Sequence, residues 1–568
     1  MANWYVASKR ADFDAIAKTY NIDPVLARVI RNRDITTPEE IRKYLCGTLE
    51  DLYDPGLLDG CEEAAKLIKE QISQSMKMRV IGDYDVDGVC SAFMFTAGLR
   101  SLGAEVDNAI PHRINDGYGL NAHLVEQAKE DGIQMLLTCD NGIAAAEQIK
   151  LAKSYGMTVI VTDHHEVPFE KDASGKKHYI LPEADVVIDP HIEGSHYPNP
   201  GICGAVVVYK LLQVLGVDPE LMDQLLEFAA FATECDVMQL QDENRIIEKE
   251  GLKRIRHTKN PGLKALIHVN QIDPSSIQAY HLGFILGPCV NASGRLDTAK
   301  MALELFECRS FEEAVPIANQ LKALNDERKE LTEHATQVAM DQVEKELSGD
   351  RVLVVYLPDC HESVAGIVAG RVREHYYKPS IVLTKTENGL KGSGRSIESY
   401  NLHEELTRVS HLFTQFGGHK MAAGMSLPEE NLETFRREIN DNCTLTEEEM
   451  TEKIVIDVPM PLSYVTMDLV RQMDVLEPFG NGNPKPVFAQ KDLEVIDLRV
   501  LGQNRRVVKI QASTPDRRGF SLTWFGDGDA FVSEVKKGDS LSVLYYPNIN
   551  TFRGEQNLEF VISGYKIQ

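Results

Sequence analysis

Residues 157–166 read MTVIVTDHHE. An apolar run gives way to two histidines flanked by two carboxylates. Core strands end in this abrupt way, but they seldom end in a cluster of metal-ligand side chains. The same β rhythm recurs on both sides of the stretch. Apolar segments at 78–82, 106–111, 135–139, 158–162 and 185–188 alternate with helical patterns, which predicts a mostly parallel sheet and an α/β fold.

Three of these segments end in groups of one chemical kind. VIGDYDVDG (80–88) carries Asp83 and Asp85, which an extended chain turns to one side. LLTCDNG (136–142) carries Asp140, and the opening stretch carries Asp163, His164 and His165. A fourth acid is Asp189 in VVIDPH or Asp236 in ATECDV; the pattern leaves that choice open. Asp87, beside Gly88, reads as a helix cap. In open α/β sheets ligands gather beyond the carboxyl ends of the strands. Carboxylates crowded at one edge repel one another unless cations hold them. Aspartate and histidine without thiolate suit Mn²⁺ or Mg²⁺, and two such ions make a phosphoester-hydrolysis site.

The whole chain sets bounds on this reading. Its 568 residues exceed one core and imply three or four domains. No apolar run is long enough to span a membrane, and MANWYVASKR lacks a signal-peptide pattern. The ten cysteines form no CxxC pair. A reduced, cytoplasmic protein follows. The net charge of −26 argues, taken alone, against nucleic acid. A carboxylate site counts as negative until metals bind it, however, and KRIRH (253–257) and NRRVVK (504–509) allow a basic groove.

Residues 1–75 read as a helical lead-in, with a capping box at Thr37–Glu40. The β/α unit covers 76–300. A long polar-rich helix connects at 301–349, its pattern clearest over 315–347. A second α/β unit covers 350–442, an acidic linker lies at 443–453, and a small β barrel fits 453–568. Two glycine-rich stretches stand out in the second unit, GSGRS (392–396) and GGHKMAAG (417–424). Ser393, Arg395, His419 and Lys420 placed among glycines read as a phosphate-binding wall across a cleft from the metal edge. Arg113, after the second strand, reaches toward the same cleft. In the barrel, Trp524, Phe525, Tyr545, Tyr546 and Phe552 stack on bases or fill the core, and the sequence does not separate the two.

GDYDVDG, CDNG and TDHH resemble the successive motifs of the DHH phosphoesterase superfamily. Within it, LGPCVNASGRL (286–296), KGSGRS (391–396), FGGHKMAAGMS (416–426) and PFGNGNPKPVF (478–488) are similar to segments of the RecJ family. The resemblance implies an exonuclease that degrades single-stranded DNA 5′→3′ to 5′-mononucleotides in repair and recombination. It also implies a DHH-associated second domain, an OB-fold barrel, and two Mn²⁺ or Mg²⁺ ions. The implied ligands are Asp83, Asp85, Asp140, His164 and Asp236, with Asp236 favoured over Asp189. His165 then stands beside the metals as a ligand or as the group that protonates the leaving oxygen. Arg113, Arg295, Ser393, Arg395 and His419 would bind substrate phosphate. Cys289 departs from the family pattern, which often has arginine there. Implied partners are single-stranded DNA, a single-strand-binding protein and a helicase, for a monomeric protein without membrane attachment. The alternatives are a DHH phosphoesterase of oligoribonucleotides or cyclic dinucleotides, and a non-catalytic replication scaffold.

Overall fold

All five expected strands form one parallel sheet in the computed structural model, which describes residues 2–111, 119–172, 175–296, 299–552 and 554–568. Arg113 lies outside the described residues, as does the side chain of Phe552. Across the sheet the order is Glu105–Ala109, Lys77–Ile81, Met135–Cys139, Thr158–Thr162, Val186–Ile188. Neighbours run parallel throughout. The order reverses between Lys77–Ile81 and Met135–Cys139, so a crevice opens at the carboxyl ends of these two strands. Asp83, Asp85 and Asp140 follow those ends.

The helix Val86–Ser101 is apolar nearly all round, as a helix buried on every side must be. It packs between the sheet and the helices Gly204–Leu215 and Pro219–Cys235. Phe93, Phe228 and Phe306 meet there edge to face or tilted, with ring centroids 4.5–6.0 Å apart. Each such ring buried from water is worth roughly 1.5–3 kcal/mol. This packing fixes the helix whose first turn carries Asp85 and Asp87.

The long helix spans Phe311–Gln342 and continues as a wider π turn to Leu347. One end packs on Pro261–Val269 and Gly287–Leu296, the other on Glu362–Tyr376, so it bridges the two α/β units. The second sheet is mixed, in the order Gln415–Gly418, Ala422–Leu427, Gly389–Arg395, Ser380–Thr386, Leu353–Tyr356. GSGRS belongs to this sheet. It lies largely in a central strand, with Ser393 paired to Val382 on one side and Gly424 on the other. Its backbone N–H groups serve the ladder rather than an anion. Leu445, within the expected linker, is buried in the core of this unit.

Five strands close the expected barrel, in the order Phe488–Leu501, Val507–Ser513, Gly519–Phe525, Glu555–Ile567, Ser540–Phe552. The lead-in is helical as read, with both bonds of the Thr37–Glu40 capping box, but it also contributes a strand. Asn3–Val6 pairs in parallel with Lys453–Ile456. Leu26, Ile30 and Tyr44 share one core with Leu476, Phe488 and Val495. The buried Arg33–Asp457 ion pair, 2.7 Å, joins the same two regions. The lead-in is thus built onto the barrel side of the molecule.

Candidate metal centre and strand cleft

Asp83 and Asp85 leave the first strand of the parallel sheet on either side of Tyr84. Asp85 caps the Val86–Ser101 helix, accepting from Gly88 N–H at 3.1 Å. Asp83 accepts from Gly119 N–H at 3.3 Å, and its second carboxylate oxygen is buried without a hydrogen-bond partner. Asp140 stands at the end of the neighbouring strand in a left-handed conformation, φ 59°. An aspartate tolerates that region better than most residues. His164 aims Nε2 at three carboxylates: Asp140 at 3.1 Å, Asp87 at 3.5 Å and Asp236 at 3.5 Å. Asp236 arrives from the C-terminus of the Pro219–Cys235 helix, and one of its oxygens is likewise buried without a hydrogen-bond partner.

Three overlapping groups result: Asp83, Asp85 and Asp140; Asp87, His164 and Asp236; and Asp140, His164 and His165. Within each, the ligand atoms lie within 4.8 Å of one another. Asp189 belongs to none of them. It accepts from His191 N–H at 2.7 Å, and burial pushes its carboxyl up to about 7.

Two members of the cluster have roles that the sequence reading did not separate. Asp87 does cap a helix, but not its own. Its two oxygens accept from Gly204 and Ala205 N–H, each at 2.7 Å, at the start of the Gly204–Leu215 helix. Gly204 is required at that approach, because a Cβ there would sit 2.7 Å from Asp140 Cβ. Asp163 joins none of the three groups. It accepts from Ile143 N–H and His164 N–H and pairs with His165 Nδ1 at 2.8 Å. It thus holds the His165 ring and the His164 backbone in place. For Asp87 the signal is a partner more than a hundred residues along the chain, which spacing does not reveal; Asp163 acts on Ile143 and on the two histidines that follow it.

The electrostatics follow from burial among like charges. Burial, then the neighbouring Asp85, pushes Asp83 up to about 7. Burial, then Asp87 and Asp85, pushes Asp236 up to about 8. Asp85 and Asp140 move in the same direction for the same reasons. Burial works against a charged His165 ring, but the Asp163 hydrogen bond and charge outweigh it and lift the ring to about 9. Burial holds His164 below the usual imidazole range. Clustered hard oxygen and nitrogen donors, two carboxylate oxygens without hydrogen-bond partners, and no thiolate among the grouped ligand atoms fit divalent cations.

His419 lines a pocket with His164, His165 and Glu166. Ser393, Arg395 and Arg295 line a second pocket of about 250 Å³ with Ser363 and Lys391. The expected wall is therefore divided between two pockets. Arg395 donates to Ser393 Oγ at 3.1 Å, and no carboxylate among the described residues pairs with it. Burial, then the nearby Arg373 guanidinium, pushes it below the usual guanidinium range. A cation so placed favours an anion in the pocket. Arg295 donates to the Ser363 carbonyl at 2.7 Å and so joins the two α/β units. Cys289, at the family's arginine position, is buried, with Sγ 3.4 Å from Asn325 Nδ2.

A larger cleft of about 1150 Å³ runs between the helical part of the first unit and the barrel. Lys249, Lys253, Arg256, Arg471 and Lys485 line it, interleaved with Glu234, Asp474, Glu477 and Glu559. Tyr280 and Phe284, both exposed, stack at its wall with centroids 5.1 Å apart. Of the basic segment 253–257, Lys253 and Arg256 line the cleft, while Lys253 also pairs with Glu250 and Arg254 with Asp223 and Glu250. NRRVVK does not act as a free basic patch: Arg505 pairs with Asp529 and Lys509 with Glu559. Of the barrel aromatics, Tyr545 is core, while Tyr546 lines the cleft with Lys485 4.0 Å over its ring. Trp524 packs on Phe531 and Tyr565, and Phe525 is exposed.

Comparison with known proteins places this architecture. Three family models match in chain order: DHH family, N-terminal domain, over 77–233; DHHA1 domain over 349–444; and RecJ OB domain over 456–564. The single-stranded-DNA-specific exonuclease RecJ of Escherichia coli (strain K12) is 32% identical over 571 residues, covering 95% of both chains. The chain belongs to the RecJ family. The Bacillus subtilis (strain 168) RecJ is 34% identical over 557 residues, which cover 96% of this chain and 68% of that one. The crystal structure of RecJ from Thermus thermophilus in complex with Mn²⁺ superposes with a TM-score of 0.82 at 25% identity. It covers 99% of this chain and 79% of that one. A second RecJ structure from the same organism, in complex with Mg²⁺, gives 0.78. The RecJ OB match takes in nearly all of the closed barrel and the segment before it, and the DHHA1 match contains Ser393, Arg395 and His419. The DHH match ends three residues before Asp236, so the position of Asp236 rests on the geometry above.

Proposed function

We propose that this chain is a divalent-metal-dependent exonuclease that degrades single-stranded DNA from its 5′ end, releasing 5′-mononucleotides. The observation that carries the reading is the convergence of Asp83, Asp85, Asp140, His164 and Asp236 on one crevice, within a chain of the RecJ family. These five residues would hold two Mn²⁺ or Mg²⁺ ions, which would supply Lewis acidity toward the scissile phosphate and the attacking water.

The side chains supply the rest. Asp87 braces the cluster through the Gly204–Leu215 helix. Asp163 fixes the His165 ring through Nδ1, so that His165 serves the leaving oxygen. Ser393 and Arg395, with Arg295 alongside, hold a phosphate of the strand, and His419 approaches from the second unit. The cleft, with its five cations and the Tyr280–Phe284 wall, guides the strand, since a stacking wall accepts any base. That cleft favours a polymeric single strand over a dinucleotide substrate, and the complete ligand set favours catalysis over a scaffold. We place the protein in the cytoplasm, a reading supported by ten cysteines that are all free thiols. No helix among the described residues is long and apolar enough to cross a membrane. A monomer, a role in repair and recombination, and partnership with a helicase and a single-strand-binding protein complete the proposal.

The test is substitution of the ligands one at a time. Asp83→Ala and His164→Ala should each abolish Mn²⁺-dependent release of nucleotides from single-stranded DNA. Robust turnover by either would show that the ligand set is wrong.

A further inference from the structure

The segment after Asp236 is bent against its own preference. Val237 has φ 57°, in the left-handed region where a β-branched side chain crowds its own backbone. Val237 is also 63% exposed, so no core packing holds it there. The helix's own end favours that bend, with Val237 N–H donating to the Glu234 carbonyl at 3.2 Å and Met238 N–H to the Thr233 carbonyl at 3.1 Å; a turn more than two hundred residues along the chain adds the further restraint. Asn481 Nδ2 donates to the Val237 carbonyl at 2.7 Å. Leu240 N–H donates to the Asn481 carbonyl at 2.7 Å, and Gln241 Nε2 to the Gly482 carbonyl at 2.9 Å.

That turn is itself anchored. Gly480 and Asn483 exchange backbone hydrogen bonds at 3.1 Å. Asn483 Nδ2 donates to the carbonyls of Leu476 and Pro478. The buried Arg245 guanidinium donates to the four successive carbonyls of residues 475–478. The two segments approach closely, since a Cβ on Gly480 would meet Leu240 at 2.7 Å. A rigid turn therefore grips a strained segment, and strain of this kind persists only where the surroundings impose it.

We propose that Asn481 is a positioning residue for the metal centre. It holds Val237 in its left-handed bend, and thereby sets Asp236 against His164. The inference rests on the reading of Asp236 as a ligand.

The experiment is Mn²⁺ binding by titration calorimetry, on full-length, chelator-treated protein. Four proteins are compared: wild type, Asp236→Ala, Asn481→Ala, and Asn481→Ala combined with Val237→Gly. Asn481→Ala should weaken binding about tenfold, equivalent to ~1.4 kcal/mol. Because Asn481 is exposed, its melting temperature in chelator should stay within about 2 °C of wild type. Adding Val237→Gly should bring binding back to within about threefold of wild type, because glycine adopts that bend without strain. A purely structural role for Asn481 would not be rescued in this way. The proposal is overturned if Asn481→Ala binds Mn²⁺ as wild type does, if it does not fold, or if glycine gives no rescue. If Asp236→Ala leaves Mn²⁺ binding unchanged, the ligand reading falls and the proposal with it. If Asp236→Ala weakens binding and Asn481→Ala does not, the clamp alone falls.

Discussion

His165 Nδ1 pairs with Asp163 at 2.8 Å, and the same carboxylate accepts the backbone N–H of Ile143 and of His164. One buried acid thus holds the His165 ring and the His164 backbone of the TDHH motif. Replacing it with asparagine turns an amide donor toward groups that themselves donate. Asp163→Asn is expected to lower kcat on single-stranded DNA at saturating Mn²⁺ by about 10–100-fold, the usual cost of removing an orienting partner. An unchanged kcat would show that the rings need no such support.

The acids of the cluster predict how the metal-free protein responds to pH. Asp83 and Asp236 are raised to about 7 and about 8, whereas an unfolded aspartate titrates near 3.9. Between those limits the folded state keeps protons that the unfolded state has released. Stability in chelator therefore falls as pH rises from about 4 to about 8. Asp140→Asn removes one charge and keeps a side chain that tolerates the left-handed φ. It should melt at least ~2 °C above wild type in chelator near pH 8, with a smaller difference near pH 5.5. Added Mn²⁺ should stabilise wild type more at the higher pH. A wild-type advantage in chelator near pH 8 would contradict the repulsion argument.

Arg395 predicts how the strand end is recognised. A 5′-phosphate carries nearly two charges, whereas an internal phosphodiester carries one. Arg395→Ala should reduce the preference for 5′-phosphorylated over 5′-hydroxyl strands by up to about 1–3 kcal/mol, read as the ratio of kcat/KM on the two substrates. Equal losses on both would assign the end to another group.

The cleft predicts a salt dependence. Each phosphate contact on a single strand contributes about 0.7 to the slope of log affinity against log salt. Lys253→Ala combined with Lys485→Ala should therefore flatten that slope by up to ~1.4 for a 30-mer. A slope equal to wild type would place the strand elsewhere.

The strand-end cluster was legible because parallel strands deliver their last residues to one edge, and side-chain alternation turns Asp83 and Asp85 together. What Asp87 and Asp163 do was not legible. Asp87 caps a helix that begins at Gly204, and only the folded chain brings the two together. That GSGRS lies in a strand was not legible, because glycine is a poor strand former; its neighbours on both sides impose the strand. The strand Asn3–Val6 has four residues and a partner some 450 positions away, which local pattern cannot supply. For the same reason the lead-in was not seen to complete the barrel's core, where Tyr44 donates to Asn483 Oδ1 at 2.9 Å. KRIRH and NRRVVK look alike as sequence, and both are partly paired with acids in the fold; what separates them is that Lys253 and Arg256 line the cleft.

The central claim is that the acid–imidazole crevice hydrolyses single-stranded DNA from the 5′ end. The most direct measurement follows a single strand labelled at either end, and a blunt duplex of the same sequence, with Mn²⁺ or with chelator, for wild type and Asp140→Asn. The account predicts release of a labelled mononucleotide from the 5′ end of the single strand by wild type with Mn²⁺. It predicts an intact duplex, and no product with chelator or with Asp140→Asn. Digestion from the 3′ end, cleavage in chelator, or turnover by Asp140→Asn at the wild-type rate would contradict it.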